Sequence, residues 1–162
     1  MPRCAAEPAL RRDRPGPRAE DSAPTAVPAA PTAAPTLTQY ADTLKQQLTA
    51  DKINVVSVEA TEGALPTLTV NYTIAVDDLA HPDVAKVSTD IEQANYLVAK
   101  HVAAQVQAGT PIDRVVMALW AVSGDQKIPV ANTRVNAKDM VAWSKGEITD
   151  KEYQARWSQT TN

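Results

Sequence analysis

Between Thr67 and Val76, large apolar side chains alternate with polar or small ones, and this pattern constrains the fold more than any other part of the sequence. The apolar members of the pattern are Leu68, Val70, Tyr72, Ile74 and Val76. A period of two is typical of a β-strand with one face in a core and the other face toward water. The chain is therefore expected to contain a sheet with one buried face.

Apolar periodicity and helix-cap residues predict seven further elements around this strand. They are, in chain order, a helix over 37–50 with Thr38 as its N-cap, a strand over 53–60, a long helix that ends at Gly109, strands over 115–122 and 127–135, and short helices over 137–145 and after Thr149. The long helix has two competing starts, at His81-Pro82-Asp83 and at Thr89. The predicted order is αββ-αββ-αα, which indicates an α+β fold.

We predict that the four strands form an antiparallel sheet with the helices packed on one face. The segment Val115–Val122 is apolar on both faces, so it is placed inside the sheet. Pro129 has no backbone N–H to donate, so it is placed on an edge strand. These two placements give the strand order 2-1-3-4, without parallel neighbours.

The N-terminal segment differs in composition from the rest of the chain. Residues 1–36 contain eight of the twelve prolines and are otherwise rich in alanine and arginine. Such a segment buries too little apolar surface to offset the entropy of ordering, and proline blocks regular hydrogen bonding. We predict a disordered arm or tether over residues 1–36, followed by a single α+β domain over residues 37–162.

The predicted domain is acidic, with fifteen Asp and Glu against eleven Lys and Arg, and the whole chain has a formal net charge of −3. Non-specific binding to nucleic acid and polybasic contact with a membrane both need a basic surface, so both are excluded. Cys4 is the only cysteine, and no apolar run is long enough for a transmembrane segment. We expect a soluble chain that is cytoplasmic as written, and an envelope or secreted protein if a signal precedes Cys4.

Four side chains that could ligate a metal fall close together at the end of the alternating strand: Asp77, Asp78, His81 and Asp83. Oxygen and nitrogen ligands at this density can hold a divalent cation. The alternative is a strand that runs into a helix, with acids where the helix dipole favours them, and the sequence favours this alternative. These four residues are therefore weak metal candidates, and no cofactor is predicted.

Trp143, Tyr153 and Trp157 place three of the seven aromatic residues near the C-terminus. Such residues can form an exposed platform for a sugar or a peptide, or they can pack onto the core. Tyr153 and Trp157 are four positions apart, on one face of a helix, and this spacing favours packing. The three aromatics nevertheless form the candidate binding surface.

No catalytic residue is predicted, because His81 and His101 stand outside any motif and no glycine-rich phosphate loop is present. We expect a non-enzymatic binding or interaction module that is displayed on a tether, with an unknown protein or small ligand as its partner and a bacterial cell envelope as a candidate location. One alternative is an intracellular accessory domain with a dispensable tail. Another is an enzyme without a recognisable motif.

Overall fold

The computed structural model describes residues 35–161. The arm predicted over residues 1–36 lies outside the described residues, except for Pro35 and Thr36. The elements are α1 (Leu37–Ala50), β1 (Asn54–Thr61), β2 (Thr67–Ala75), α2 (Val84–Gln107), β3 (Arg114–Ser123), β4 (Gln126–Asn136), α3 (Ala137–Ser144), α4 (Asp150–Gln154) and β5 (Ser158–Thr161). In the described part of the chain, no helix is both long and apolar enough to cross a membrane.

Helix α1 begins with a capping box formed by Thr36 and Gln39. The Thr36 hydroxyl accepts from the Gln39 backbone N–H at 3.3 Å, and the Gln39 side chain accepts from the Thr36 N–H at 3.0 Å. This pair satisfies two backbone donors that a helix start leaves free. Thr36, rather than the predicted Thr38, is the N-cap. The residue that caps α1 is therefore the last residue of the predicted arm.

Helix α2 uses the first of its two predicted starts. Asp83 is the N-cap, and its carboxylate accepts from the Lys86 backbone N–H at 3.1 Å. The competing start at Thr89 lies inside the helix, where its hydroxyl donates to the Ala85 carbonyl oxygen at 2.9 Å. Beyond the C-terminal end of the helix, Gly109 has φ 99°, a left-handed conformation that favours glycine.

The prediction of a single sheet with helices in an α+β fold is confirmed, but the predicted strand arrangement is wrong. The sheet has five strands in the order β1-β2-β3-β4-β5, and β2 and β3 are parallel neighbours. Parallel strands need a long crossover connection, and the 24 residues of α2 supply it. A helix of that length spans about 36 Å, enough to return the chain to the end of the sheet at which β2 began.

Strand β4 is not the edge strand that Pro129 predicted, because the missed strand β5 pairs with it. The pairing joins Ala131–Arg134 to Ser158–Thr161 and leaves Pro129 outside. Pro129 faces Trp120, next to a register shift in the β3–β4 ladder. Proline has no backbone N–H, and it is tolerated at such an irregularity. Because Pro129 lies outside the β4–β5 pairing, it also costs no hydrogen bond with β5.

The core lies between one face of the sheet and the helices, as the alternation in β2 predicted. Leu68, Val70 and Tyr72 of β2 are at most 2% exposed, and they pack with residues of all four helices in one cluster. The other face of β2 is more polar and is linked to β1 by side chains. Asn71 Nδ2 donates to Ser57 Oγ at 3.0 Å, for example.

Asn95 on α2 is fully buried, and neither atom of its amide has a hydrogen-bond partner among the described residues. An unsatisfied buried polar group costs about 1–3 kcal/mol. We expect Asn95→Leu, which keeps a similar shape, to raise the free energy of unfolding by about 1–3 kcal/mol in urea titrations. The exposed Asn132→Leu is the control and should change it by less than about 0.5 kcal/mol. A destabilised Asn95→Leu protein would show that the amide is hydrogen-bonded in solution.

Candidate functional site

A cleft of about 370 Å³ opens between the end of α1 and the first half of α2, with the start of β1 and the end of β2 at its base. We call it the α1–α2 cleft. Its lining combines apolar side chains with Asp51, Lys52, Tyr72, Lys86, Asp90 and Gln93. It lies at the carboxyl end of β2, one of the two parallel strands. Ligands of sheets with parallel strands characteristically bind at this end.

Tyr72 places a hydroxyl in the base of the cleft. The alternation in β2 puts its ring on the core face, and the residue is 2% exposed while it lines the cleft. Its hydroxyl forms no hydrogen bond with another described residue. Burial raises the pKa of Tyr72, and the nearby carboxylate of Asp90 raises it further. The hydroxyl therefore stays protonated at neutral pH, with a proton to donate and lone pairs to accept.

Asp90 stands on the α2 wall of the cleft and is half-buried. The salt bridges within residues 35–161 involve other carboxylates, namely those of Asp78, Asp51 and Asp139. Lys86 lies one helical turn earlier but forms no salt bridge with Asp90. The cleft thus contains a carboxylate and a hydroxyl that no described residue satisfies.

The rim of the cleft is fixed by a pair that the sequence did not reveal. His101 Nε2 lies 2.6 Å from Asp51 Oδ2, and Asp51 is the C-cap of α1. This contact joins the end of α1 to α2 across fifty positions of sequence. Lys52, which follows Asp51, has φ 67° and turns the chain from α1 into β1.

The predicted metal candidates line a second cavity, of about 140 Å³, beside the cleft. Asp77, Asp78, His81 and Asp83 all contribute to it, and we call it the acidic-loop cavity. It shares Lys86 and Asp90 with the α1–α2 cleft, so the two cavities adjoin.

Two of these acids accept hydrogen bonds from nearby backbone N–H groups. Asp78 Oδ1 accepts from the Ala80 N–H at 2.8 Å, and its Oδ2 lies 3.1 Å from His81 Nδ1. The Ala80 N–H lowers the pKa of Asp78 most, and His81 lowers it further. Asp83 caps α2. Among the described residues, no three His, Cys, Asp or Glu side chains are arranged to hold a metal ion.

The three C-terminal aromatics come together with Tyr96 of α2, which the sequence did not single out. Tyr153 is fully buried; its ring is stacked at 5.2 Å from that of Trp143 and meets that of Trp157 edge-on at 5.6 Å. Trp143 and Trp157 are half-buried, and Trp143 Nε1 donates to Asp150 Oδ1 at 2.7 Å. Tyr153 is thus closed to ligands, and the cluster anchors the C-terminal helices to α2.

Comparison with family models, with curated proteins and with solved structures finds no match to this chain. The function has to be inferred from the α1–α2 cleft itself.

Proposed function

We propose that this protein is a non-enzymatic binding module and that it holds a small polar ligand in the α1–α2 cleft. One observation carries the proposal: the Tyr72 hydroxyl and the Asp90 carboxylate both line the cleft, and neither has a partner among the described residues. Tyr72 is 2% exposed, so a ligand that hydrogen-bonds to its hydroxyl does so in a largely closed setting. Such a hydrogen bond contributes about 0.5–1.5 kcal/mol to binding.

The size and chemistry of the cleft support a small ligand. Ligand pockets commonly enclose about 300–1,000 Å³, and they combine an apolar lining with a few polar groups. Ile53, Ile74 and Ala94 supply apolar contact here, and Tyr72 and Asp90 supply directional contact. A binding role needs no activated nucleophile, and the raised pKa of Tyr72 keeps its hydroxyl protonated at neutral pH, so the phenolate is not available as a general base.

The proline-rich residues 1–36 belong to the proposal as a tether that displays the module, with a bacterial cell envelope as the setting. This part is carried by composition alone.

The test is a fragment screen by amide NMR with small acids, amines and neutral alcohols. We expect the chemical-shift changes to centre on Tyr72, Asp90 and their neighbours. Tyr72→Phe should raise the dissociation constant of a cleft-binding fragment about three- to tenfold, because one hydrogen bond is lost. The matched control is Tyr153→Phe, which removes a buried hydroxyl without a partner away from the cleft and should leave binding unchanged.

Two results would overturn the proposal. One is a screen in which no fragment perturbs the cleft. The other is a cleft-binding fragment whose affinity is the same for Tyr72→Phe and for the unchanged protein.

A further inference from the structure

The α1–α2 cleft and the acidic-loop cavity adjoin, and we call the two together the acidic groove. Its carboxylates are Asp51, Asp77, Asp78, Asp83 and Asp90, and its lysines are Lys52 and Lys86. Five carboxylates against two ammonium groups give the groove a negative potential, which favours a cationic ligand. Tyr72 at its base separates this groove from an ordinary acidic surface, because this residue is only 2% exposed and its hydroxyl forms no hydrogen bond with a described residue.

We infer that the ligand of the acidic groove is a small linear amine with at least two ammonium groups. This inference rests on the proposed function and adds the chemical class of the ligand. The first ammonium group binds between the Asp90 carboxylate and the Tyr72 hydroxyl oxygen. Asp90 is half-buried and lacks a salt bridge, so an ammonium partner there makes a charge-assisted hydrogen bond with reduced competition from water.

A second ammonium group binds in the acidic-loop cavity. The two cavities share Ala75, Lys86 and Asp90 in their linings, so a flexible ligand that extends past these residues reaches from the cleft to the second cavity. Asp77 offers a carboxylate there that makes no side-chain hydrogen bond to another described residue. Asp78 and Asp83 use only some of their acceptor positions on the backbone, so they can accept further donors.

Lys86 discriminates between a cationic and an anionic ligand. It lines both cavities, so its ammonium group repels a bound amine and attracts a bound carboxylate. Lys86→Gln should therefore tighten amine binding and weaken the binding of an anion.

The experiment is isothermal titration at one fixed ionic strength with spermidine, 1,4-diaminobutane, butylamine and butanoate. We expect affinity to fall in that order, with no detectable heat from butanoate. Asp90→Asn should raise the dissociation constant of 1,4-diaminobutane about tenfold or more, as the loss of a charge-assisted contact predicts. Lys86→Gln should lower it about two- to fivefold.

The matched control is Asp42→Asn, which makes the same charge change on an exposed position of α1 outside the groove. It should alter the dissociation constant less than twofold. Equal losses in Asp42→Asn and Asp90→Asn would overturn the inference, because the attraction would then be diffuse. Butanoate binding, or weaker binding of 1,4-diaminobutane to Lys86→Gln, would overturn it as well.

The titration separates this inference from the proposed function. If neutral or acidic fragments shift the Tyr72 and Asp90 resonances and the amines do not, the amine inference fails and the binding module stands. If no compound of either experiment perturbs the cleft, both fail.

Discussion

Above pH 10 the protein is expected to unfold cooperatively, within about one to three pH units. Tyr40, Tyr72 and Tyr153 are at most 2% exposed, and burial raises the pKa of each of them. In the unfolded chain each phenol ionises near pH 10. Between that pH and the higher pKa of the folded state, the unfolded chain binds fewer protons than the folded protein does. Unfolding therefore becomes more favourable as the pH rises.

The stabilisation that these tyrosines provide is thus complete below pH 10 and is lost as the pH rises toward their folded-state pKa values. One such group lowers the free energy of unfolding by about 1.4 kcal/mol per pH unit, and three lower it by about 4 kcal/mol. Domains ordinarily have a free energy of unfolding of about 5–15 kcal/mol, so a loss of this size per pH unit is enough to unfold the protein. Far-ultraviolet circular dichroism and tyrosinate absorbance should change together in one transition.

The control for this prediction is Tyr40→Phe. The Tyr40 hydroxyl has no hydrogen-bond partner among the described residues, so its removal should not destabilise the protein at neutral pH. It should shift the alkaline midpoint upward and lower the contribution of the buried tyrosines to the pH dependence of stability by about one third, because two of these three phenols remain. If the tyrosines titrate near pH 10 while the helical signal persists, the phenols are open to water and the prediction is wrong.

The parts of the fold that were predicted correctly from the sequence depend on local chemistry. The predicted helix starts near Asp83 and after Thr149 each depend on residues three positions apart, and both helices form there. The alternation around Tyr72 predicted which side chains of β2 face the core, and Leu68, Val70 and Tyr72 are buried there. The same locality explains why the four weak metal candidates line one cavity, since they lie within one loop.

The errors concern contacts between residues that are distant in the chain. The parallel pairing of β2 with β3 depends on how α2 packs, and neither strand contains a signal for its neighbour. Strand β5, Ser158–Thr161, has no apolar alternation, and it forms by pairing with β4. Just before β5, Arg156 Nη1 donates to Asp139 Oδ1 of α3 at 2.6 Å. The α1–α2 cleft was missed for the same reason. Tyr72 and Asp90 meet only because α2 folds back over β2.

Tyr153→Ala is expected to lower the free energy of unfolding by about 3–5 kcal/mol, one of the largest losses for a single side chain in this protein. The ring is fully buried at the centre of the aromatic cluster, with the ring centroids of Trp143, Trp157 and Tyr96 at 5.2, 5.6 and 6.0 Å. Truncation leaves a cavity and removes aromatic contacts worth about 0.5–1.5 kcal/mol for each pair.

The matched variant Tyr153→Phe separates packing from hydrogen bonding. The Tyr153 hydroxyl is buried beside the Trp157 side chain but forms no well-directed hydrogen bond with a described residue, so Phe keeps the ring and removes a poorly satisfied group. We expect urea titrations to show equal or slightly higher stability for Tyr153→Phe and a large loss for Tyr153→Ala. Trp157→Ala, at a half-buried ring, should fall between the two. A loss below about 1 kcal/mol for Tyr153→Ala would mean that the ring is exposed in solution, and the C-terminal aromatics would then be open to a ligand after all.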